Sequence, residues 1–338
     1  MFNPLVSILM PVRQWSPFIE AAVESVITQS HTNLELLLIG KNDIHELVQR
    51  LPSDSRLRGI AREQPGIIGA LNTGLKSCHG DYIARMDDDD LCTPNRIEHQ
   101  LAMAATMENN ALIGARVDIF SNDATIGRGN AIYQQWLNAV CTNEQIRRAS
   151  FIESPLPHPT FFAHKSFWTT MGGYHDQGWP EDYDLILRAW LAGMPMSKPE
   201  PILLRWREHA NRLTRTDSRY SREAFTKAKA WALSQSAAGF NLHAGRAVWV
   251  CGTGRNARYW HDALIDQGVT VRGFVELDTA KTKHQKRHLP VITYQVLEQN
   301  LGDALCISAI SNHHARKALQ QWFVDKGLTE GKHFLLGG

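Results

Sequence analysis

Short apolar runs alternate with helix-patterned stretches through the N-terminal part of the chain, and this alternation constrains the fold more than any other feature. Val6-Ser7-Ile8-Leu9-Met10-Pro11-Val12 is almost continuously apolar, as a strand buried on both faces of a parallel sheet must be, and Pro11 ends it. Ser16-Pro17 marks a helix start, an N-cap followed by Pro at the first helical position. Phe18, Ala21, Ala22, Ser25 and Val26 supply that helix with an inward stripe. Leu34 to Ile39 is a second apolar run and Leu57 to Ala61 a weaker third. Ile67 to Leu75 is helical in pattern behind Gly66, Tyr82 to Met86 is a further strand, and a helix follows from Pro94 to about Met107. Strand and helix alternating at this spacing predict an α/β fold with a doubly wound, mixed sheet. Ligands of such sheets bind outside the carboxyl ends of the strands. Pro11-Val12-Arg13, Gly40 to Asp43 and Asp87 to Asp90 are therefore expected to line one crevice.

From Ala111 to Phe151 the pattern is mixed and predicts little. Pro155 to Thr160 is a turn, and Met171-Gly172-Gly173-Tyr174 a bend. Trp179-Pro180-Glu181-Asp182-Tyr183 opens an amphipathic helix carrying Leu185, Ile186, Ala189 and Trp190. Its first turn holds Glu181 and Asp182, where the helix dipole favours anions. Pro199 to Arg207 is a strand, Arg205 to Arg222 is Arg-rich, Ser221 to Ser236 is a connecting helix and Gly239 to Gly245 a linker. A second alternation begins at Val248-Trp249-Val250-Cys251. There a G-x-G-x-x-A turn, Gly252 to Ala257, leads into a helix. Val271 to Val275 follows, ending near Glu276 and Asp278, then Pro290 to Ile292 and Ala304 to Ala309. The expected layout is a first domain over 1–215, a helical connector over 216–244 and a small Rossmann-like domain over 245–338.

A chain of 338 residues has room for two such cores. Its net charge of +2 gives no general field for nucleic acid, so none is expected as a partner. The five cysteines lack CxxC spacing, which argues for thiols in a reducing compartment over a disulfide frame or zinc site. Met1-Phe2-Asn3-Pro4 has no basic n-region of a signal peptide, and no apolar run approaches the ~20 residues of a membrane span. The expectation is a cytoplasmic protein, with peripheral contact at the inner face of the membrane left open.

Asp87-Asp88-Asp89-Asp90 stands directly behind the strand at Tyr82 to Met86. Four carboxylates at one strand end repel each other unless something positive sits among them. A divalent cation that prefers oxygen ligands and shares them with phosphates is one answer. The bland alternative is a solvated loop whose last Asp, or Thr93, caps the next helix.

What surrounds the run tips that balance. Val6 to Val12 is followed by Gly66 with Leu71-Asn72-Thr73-Gly74-Leu75, then Gly80-Asp81-Tyr82-Ile83-Ala84-Arg85-Met86 into the Asp run, with Pro94, Arg96, Glu98 and Gln100 behind it. His158-Pro159-Thr160, Gly172-Gly173-Tyr174, Glu181-Asp182-Tyr183-Asp184-Leu185 and Arg207-Glu208-His209 come next, in that order. In this order the pieces resemble the inverting family 2 glycosyltransferases of the GT-A fold, over about Pro4 to Arg215. The resemblance implies a nucleotide-diphosphate sugar as donor, a UDP-sugar foremost, and a glycan or lipid-linked hydroxyl as acceptor, in cell-surface polysaccharide or lipopolysaccharide synthesis. It implies Mg²⁺ or Mn²⁺ as cofactor, with Asp89 as a direct ligand, Asp87 beside it near the ribose, and His209 as a further candidate. It makes Asp182 the candidate general base, with Glu181 as its partner. Pro11, Val12, Arg13, Asn42, Asp43, Gly66, Asn72, Arg85, Asp87 and Asp88 are the candidate donor-binding residues. Arg62 is a further candidate counter-charge, and His158 a weaker candidate altogether.

Two stretches depart from the family's pattern. Gly40 and Lys41 stand where an acid pair usually meets the nucleotide base, and Arg13-Gln14 replaces the commoner Tyr-Asn. Asn42 or Asp43 is the expected substitute. The departure keeps a second reading open, a non-catalytic nucleotide-sugar-binding or scaffold protein, against which the retained Asp87, Asp89 and Asp182 argue. The segment from Val248 onward resembles the N-terminal domain of bacterial sugar acyltransferases, which implies a second ligand site at Gly252, Gly254 and Arg258. A docking or homo-oligomer module is an equal alternative there, and an oxidoreductase is the weakest reading because no hydride-transfer site is visible. The Arg205 to Arg222 stretch is either a solvated face or a surface for anionic lipid or a phosphorylated acceptor.

Overall fold

The computed structural model describes residues 3–107, 110–122, 125–209, 212–236, 240, 242, 244–277, 280, 282 and 284–338. Gly239 and Asp278, named above, lie outside them. The chain divides into two compact units. The first comprises residues 1–146, 155–177 and 184–216; the second comprises 147–154, 178–183 and 217–338.

The first unit is built on a seven-stranded mixed sheet. Edge to edge its strands are Leu57–Ala61, Leu34–Gly40, Val6–Pro11, Tyr82–Arg85, Phe162–His164, Leu112–Ile113 and Met196–Ser197. The first four run parallel, and Phe162–His164 pairs antiparallel to Tyr82–Arg85. Alternate side chains leave opposite faces of a strand. Val6, Ile8, Met10, Leu36 and Leu38 accordingly enter one core with Ile19, Ala22, Val23 and Val26 of the helix Ile19–Ile27. Leu9, Leu37 and Ile39 enter the other, with Ala70 and Leu71 of the helix Gly66–Ser77. Gly74 sets how closely that second helix approaches. A Cβ there would lie 3.0 to 3.2 Å from Ile39 Cδ1 and the Leu9 methyls. A smaller sheet, Leu91–Cys92, Ile202–Arg207 and Arg116–Phe120, completes this unit.

Two helix starts differ from expectation. The first helix begins at Ile19, because Ser16 Oγ accepts the Phe18 N–H at 3.3 Å and so holds a turn before the helix. The helix expected from Pro94 runs Arg96–Ala104 behind Asn95. Neither Asp90 nor Thr93 caps it. Thr93 instead ties its N–H to the Leu203 carbonyl at 3.0 Å, and Asp90 is buried elsewhere.

The second unit carries an all-parallel five-stranded sheet: Val291–Thr293, Val271–Glu276, Val248–Cys251, Leu305–Ser308 and Phe334–Leu336. The helix Arg222–Gln235, expected as a connector, packs within this unit along the helix Arg255–Asp266. Ser221 caps it by accepting the Ala224 N–H at 3.2 Å. Among the described residues no helix is long and apolar enough to cross a membrane.

Leu37 is fully buried between its neighbour strands and the helix Gly66–Ser77. Leu37→Ala is expected to cost about 2–5 kcal/mol of the first unit's stability, read as a lowered denaturant midpoint.

Candidate functional site

The strand register assembles the first set of predicted residues. Pro11 pairs with Ile39, and the Val12 N–H donates to the Ile39 carbonyl at 2.8 Å. On the other side Leu9 pairs with Arg85, and the Met86 N–H donates to the Leu9 carbonyl at 3.0 Å. The Arg62 N–H donates to the Gly40 carbonyl at 2.7 Å, which brings in the end of the strand Leu57–Ala61. Pro11-Val12-Arg13, Gly40 to Asp43, Arg62 and the Asp run therefore lie along one carboxyl edge, where doubly wound sheets bind ligands. Arg13, Asn42 and Asp43 are exposed there. Gly66 opens its helix with φ of +84°, a conformation that favours glycine.

Asn72 is employed differently. Its amide donates to the Tyr174 carbonyl at 2.8 Å and accepts the Tyr174 N–H at 2.9 Å, so it holds the Gly172–Gly173 bend. His158 is buried, with Nε2 3.0 Å from the Tyr174 hydroxyl. Burial and then the nearby Arg85 charge hold its imidazole well below the usual range, hence neutral.

The four aspartates have unequal surroundings. Asp87 Oδ1 lies 2.6 Å from Nη2 of the buried Arg85. Asp89 Oδ2 lies 2.7 Å from His209 Nε2. Asp90 is fully buried; its Oδ1 accepts the Arg207 N–H at 2.7 Å, and its Oδ2 has no hydrogen-bond partner among the described residues. Asp88 is half-buried.

Arg207 is the residue that sequence reasoning missed. Leu91–Cys92 pairs antiparallel with Ile202–Arg207, Arg205 facing Leu91. Continuing that register sets Arg207 opposite Asp89, and Arg207 Nε donates to the Asp89 carbonyl at 2.6 Å while Nη1 donates to Asn122 Oδ1 at 2.6 Å. The guanidinium is held between the rings of Phe18 and Phe120, at 4.2 and 4.5 Å. No short-range signal marks this partnership, since it depends on a pairing of segments more than a hundred residues apart.

Loss of solvent dominates the electrostatics. Burial first, and then the charges of Asp89 and Asp87, push the Asp88 carboxyl up to about 8. Burial and the Asp87 charge likewise raise Asp89, against the opposing pull of His209. Asp90 is raised well above the carboxylate range by burial and by Asp87 and Asp89. Carboxyl oxygens of Asp87, Asp89 and Asp90 all lie within 4.8 Å of one another. An oxygen-only set, two of whose members, Asp89 and Asp90, have raised proton affinity, with one buried Asp90 oxygen left without a hydrogen bond among the described residues, fits a hard divalent cation. The third member is Asp90, which the sequence suggested only as a loop or cap residue.

Three arginines of the Arg-rich stretch are paired within it. Arg212 and Arg215 both pair with Glu208, and Arg219 pairs with Asp217.

Glu181 and Asp182 belong to the second unit, at the start of the helix Glu181–Leu191. Asp182 is half-buried and its Oδ1 accepts the Tyr183 N–H at 2.8 Å. Glu181 is fully buried, with both carboxyl oxygens within 3.0 Å of the Tyr220 hydroxyl. In the same unit Gly252 adopts φ of +111° and Gly254 precedes the helix Arg255–Asp266, on which Arg258 is half-buried. Thr253 Oγ donates to Glu276 Oε2 at 2.6 Å, closing the turn onto the next strand.

Residues 7–169 match the model of glycosyl transferase family 2. An uncharacterized glycosyltransferase of Rickettsia typhi is 32% identical over 114 residues, which cover 33% of this chain and 36% of that protein. The chain thus spans about a third of the length of that relative. The O-antigen biosynthesis glycosyltransferase WbnJ of Escherichia coli is 25% identical over 190 residues, 54% of this chain and 71% of that one. The crystal structure of S. aureus TarS 1-349 in complex with UDP-GlcNAc superposes with a TM-score of 0.51 at 13% identity, covering 68% of this chain and 66% of that chain. At that identity the likeness shows the fold, which is GT-A.

The raised carboxyls make a testable sign. An unfolded aspartate, near 3.8, releases protons that folded Asp88 keeps to about 8. The folded state therefore binds more protons between those limits, and the contribution of Asp88 to stability is lost as pH rises through about 8. In chelator, the melting temperature of the wild type is expected to fall further than that of Asp88→Asn over that window, and an added divalent cation should narrow the gap. Parallel curves for the two proteins would sink the assignment.

Proposed function

We propose, on the premise that residues 7–169 belong to glycosyl transferase family 2, that this protein transfers a sugar from a nucleotide-diphosphate donor to a hydroxyl of a glycan or lipid-linked acceptor, with inversion. The observation that carries the reading is the cluster of Asp87, Asp89 and Asp90 at the carboxyl edge of the sheet, beside Pro11-Val12-Arg13. Mg²⁺ or Mn²⁺ would be held by these three carboxylates and, when bound, supplies positive charge to the diphosphate leaving group. Arg85 and Arg207 hold the carboxylates in place, one through Asp87 and the other through the Asp89 carbonyl and the Asp90 side chain. Arg13 and Arg62 contribute charge suited to phosphate, and Asn42 and Asp43, exposed just beyond Gly40 and Lys41, are the candidates to meet the nucleotide base.

The chemistry assigned to Asp182 is general-base catalysis. Its carboxylate takes the proton of the acceptor hydroxyl, whose oxygen attacks the anomeric carbon. The bond from that carbon to the diphosphate oxygen breaks as the new glycosidic bond forms, and the nucleoside diphosphate departs with the electron pair. TarS with UDP-GlcNAc supports a UDP-sugar as the first donor to try, and the O-antigen relative supports a cell-surface polysaccharide or lipopolysaccharide acceptor.

A screen of UDP-, GDP- and dTDP-sugars with Mn²⁺, scored for donor binding, hydrolysis and transfer, tests this directly. Asp182→Asn is expected to lower transfer by about 10²–10⁴-fold with donor binding intact. Asp89→Ala is expected to abolish cation-dependent donor binding. Failure of every nucleotide sugar to bind would favour a non-catalytic protein instead.

A further inference from the structure

Asp182 is clamped from both sides. Its neighbours Glu181 and Tyr183 are both fully buried, while Asp182 itself keeps contact with solvent. The Tyr183 hydroxyl donates to the Ser150 carbonyl, and its ring packs on Phe225 at 4.9 Å between centroids. Glu181 carries the other half of the clamp. A fully buried carboxylate is costly to keep unless hydrogen bonds satisfy it. The hydroxyl of Tyr220 sits 2.8 Å from one carboxyl oxygen and 3.0 Å from the other, and so supplies that bond.

We propose that Tyr220 is a positioning residue for the reaction, fixing Asp182 by hydrogen bonding the buried carboxylate of Glu181 next to it. The proposal rests on the assignment of Asp182 as the base. It also moves Glu181 from a catalytic to a positioning role, because a carboxylate with no exposed surface does not meet an acceptor hydroxyl.

The surroundings of Tyr220 are built to hold it. It ends the short turn Ser218–Tyr220, whose start is fixed where Asp217 Oδ1 accepts the Arg219 N–H at 2.9 Å. The Arg219 side chain returns to Asp217 Oδ2 at 2.7 Å. Ser221 then caps the helix Arg222–Gln235, so Tyr220 is pinned between two defined ends. Burial and then the negative charges of Glu181 and Asp182 push the Tyr220 hydroxyl upward, with Arg219 opposing. The phenol therefore stays protonated and remains a donor. The two anions shift Tyr220 because both lie close to it, which joins the three residues into one electrostatic group.

The test compares Tyr220→Phe, Glu181→Gln, their double variant and Asp182→Asn in the full chain. Donor titration and thermal unfolding are run on each alongside steady-state transfer. Tyr220→Phe is expected to lower kcat by about 10²-fold, the scale of a misplaced catalytic group, with donor KM within about twofold of wild type. Glu181→Gln keeps an acceptor oxygen for the phenol and is expected to retain kcat within about threefold, while the double variant should fall no lower than Tyr220→Phe, as residues acting through one bond do. Wild-type kcat in Tyr220→Phe beside an inactive Asp182→Asn overturns the positioning role and leaves the base assignment standing. Full activity in Asp182→Asn overturns the base assignment itself. If Tyr220→Phe melts too low to assay, Glu181→Leu, which removes the acceptor of the phenol, decides with Glu181→Gln. Wild-type kcat in Glu181→Leu overturns the proposal, and a loss of about 10²-fold at unchanged donor KM that Glu181→Gln escapes supports it.

Discussion

The pairing of Leu91–Cys92 with Ile202–Arg207 is the contact on which the acidic site depends. Without it, Asp87 to Asp90 would be four like charges at a strand end, partly stripped of water. The pairing places Arg207 alongside them, so that its main-chain N–H meets Asp90 and its side chain meets the Asp89 carbonyl. Phe18 and Phe120 close over the guanidinium and keep it dry. Arg85 offsets the run from within the sheet, through Asp87. The compensation is incomplete by design of charge: Asp88, Asp89 and Asp90 all retain raised proton affinity. On the proposed reading, a cation bound there would displace those protons, since both compensate the same buried negative charge.

Glu181 and Asp182 solve the opposite problem. Here the buried acid is satisfied by a neutral donor, Tyr220, and the half-exposed acid beside it is left able to take a proton. The two sites therefore differ in what relieves burial. Cationic side chains and a cation suit a role in stabilising negative charge, whereas a phenol that stays protonated suits a role in holding geometry.

The parallel strands were legible because strands buried on both faces are mostly apolar, as Val6 to Met10 and Leu34 to Ile39 are apart from Ser7 and Glu35, whose side chains hydrogen bond each other at 2.6 Å. The stretch from Ala111 to Phe151 was not, and the structure gives the reason. The helix Arg128–Ala139 buries only Leu137 fully and packs Tyr133 and Trp136 beside it, a stripe too short to mark the whole helix by its period. Leu112–Ile113 is too short to show alternation, and Arg116–Phe120 alternates, with Val117 and Ile119 buried, but over five residues only. Helix starts slipped by two residues where Ser16 and Thr93 spend their hydrogen bonds on turns and long-range ties. The individual aspartates were visible as a group. Their separate tasks were not, because those are set by Arg207 and His209, more than a hundred residues away in sequence, and by which of the four carboxylates the adjacent Arg85 reaches. Asn72 and Glu181 show the same limit: a polar side chain announces a need for partners, but only the fold says whether a ligand or the chain itself meets it.

Gly40 extends that argument to what is missing. A Cβ at Gly40 would stand 2.8 Å from Ile44 Cδ1 and 3.1 Å from the Val12 carbonyl oxygen. Ile44 is buried in the core that the helix Ile44–Gln49 lays against the sheet, and the Val12 carbonyl follows the strand Val6–Pro11. An acid at position 40 would therefore have to displace a core methyl and crowd a main-chain oxygen of the adjacent strand end. The loss of the usual carboxylate is coupled to this packing, and restoring it alone would strain the same edge that carries Arg13. Any contact to a nucleotide base on this edge has to come from exposed groups beyond the crowded point, where Lys41, Asn42 and Asp43 stand. A lysine and an amide offer donors where the family's usual acid offers only acceptors. On the proposed reading, Lys41 and the Asn42 amide would therefore add donors to the acceptors that Asp43 keeps, and base selectivity would not rest on carboxylates alone.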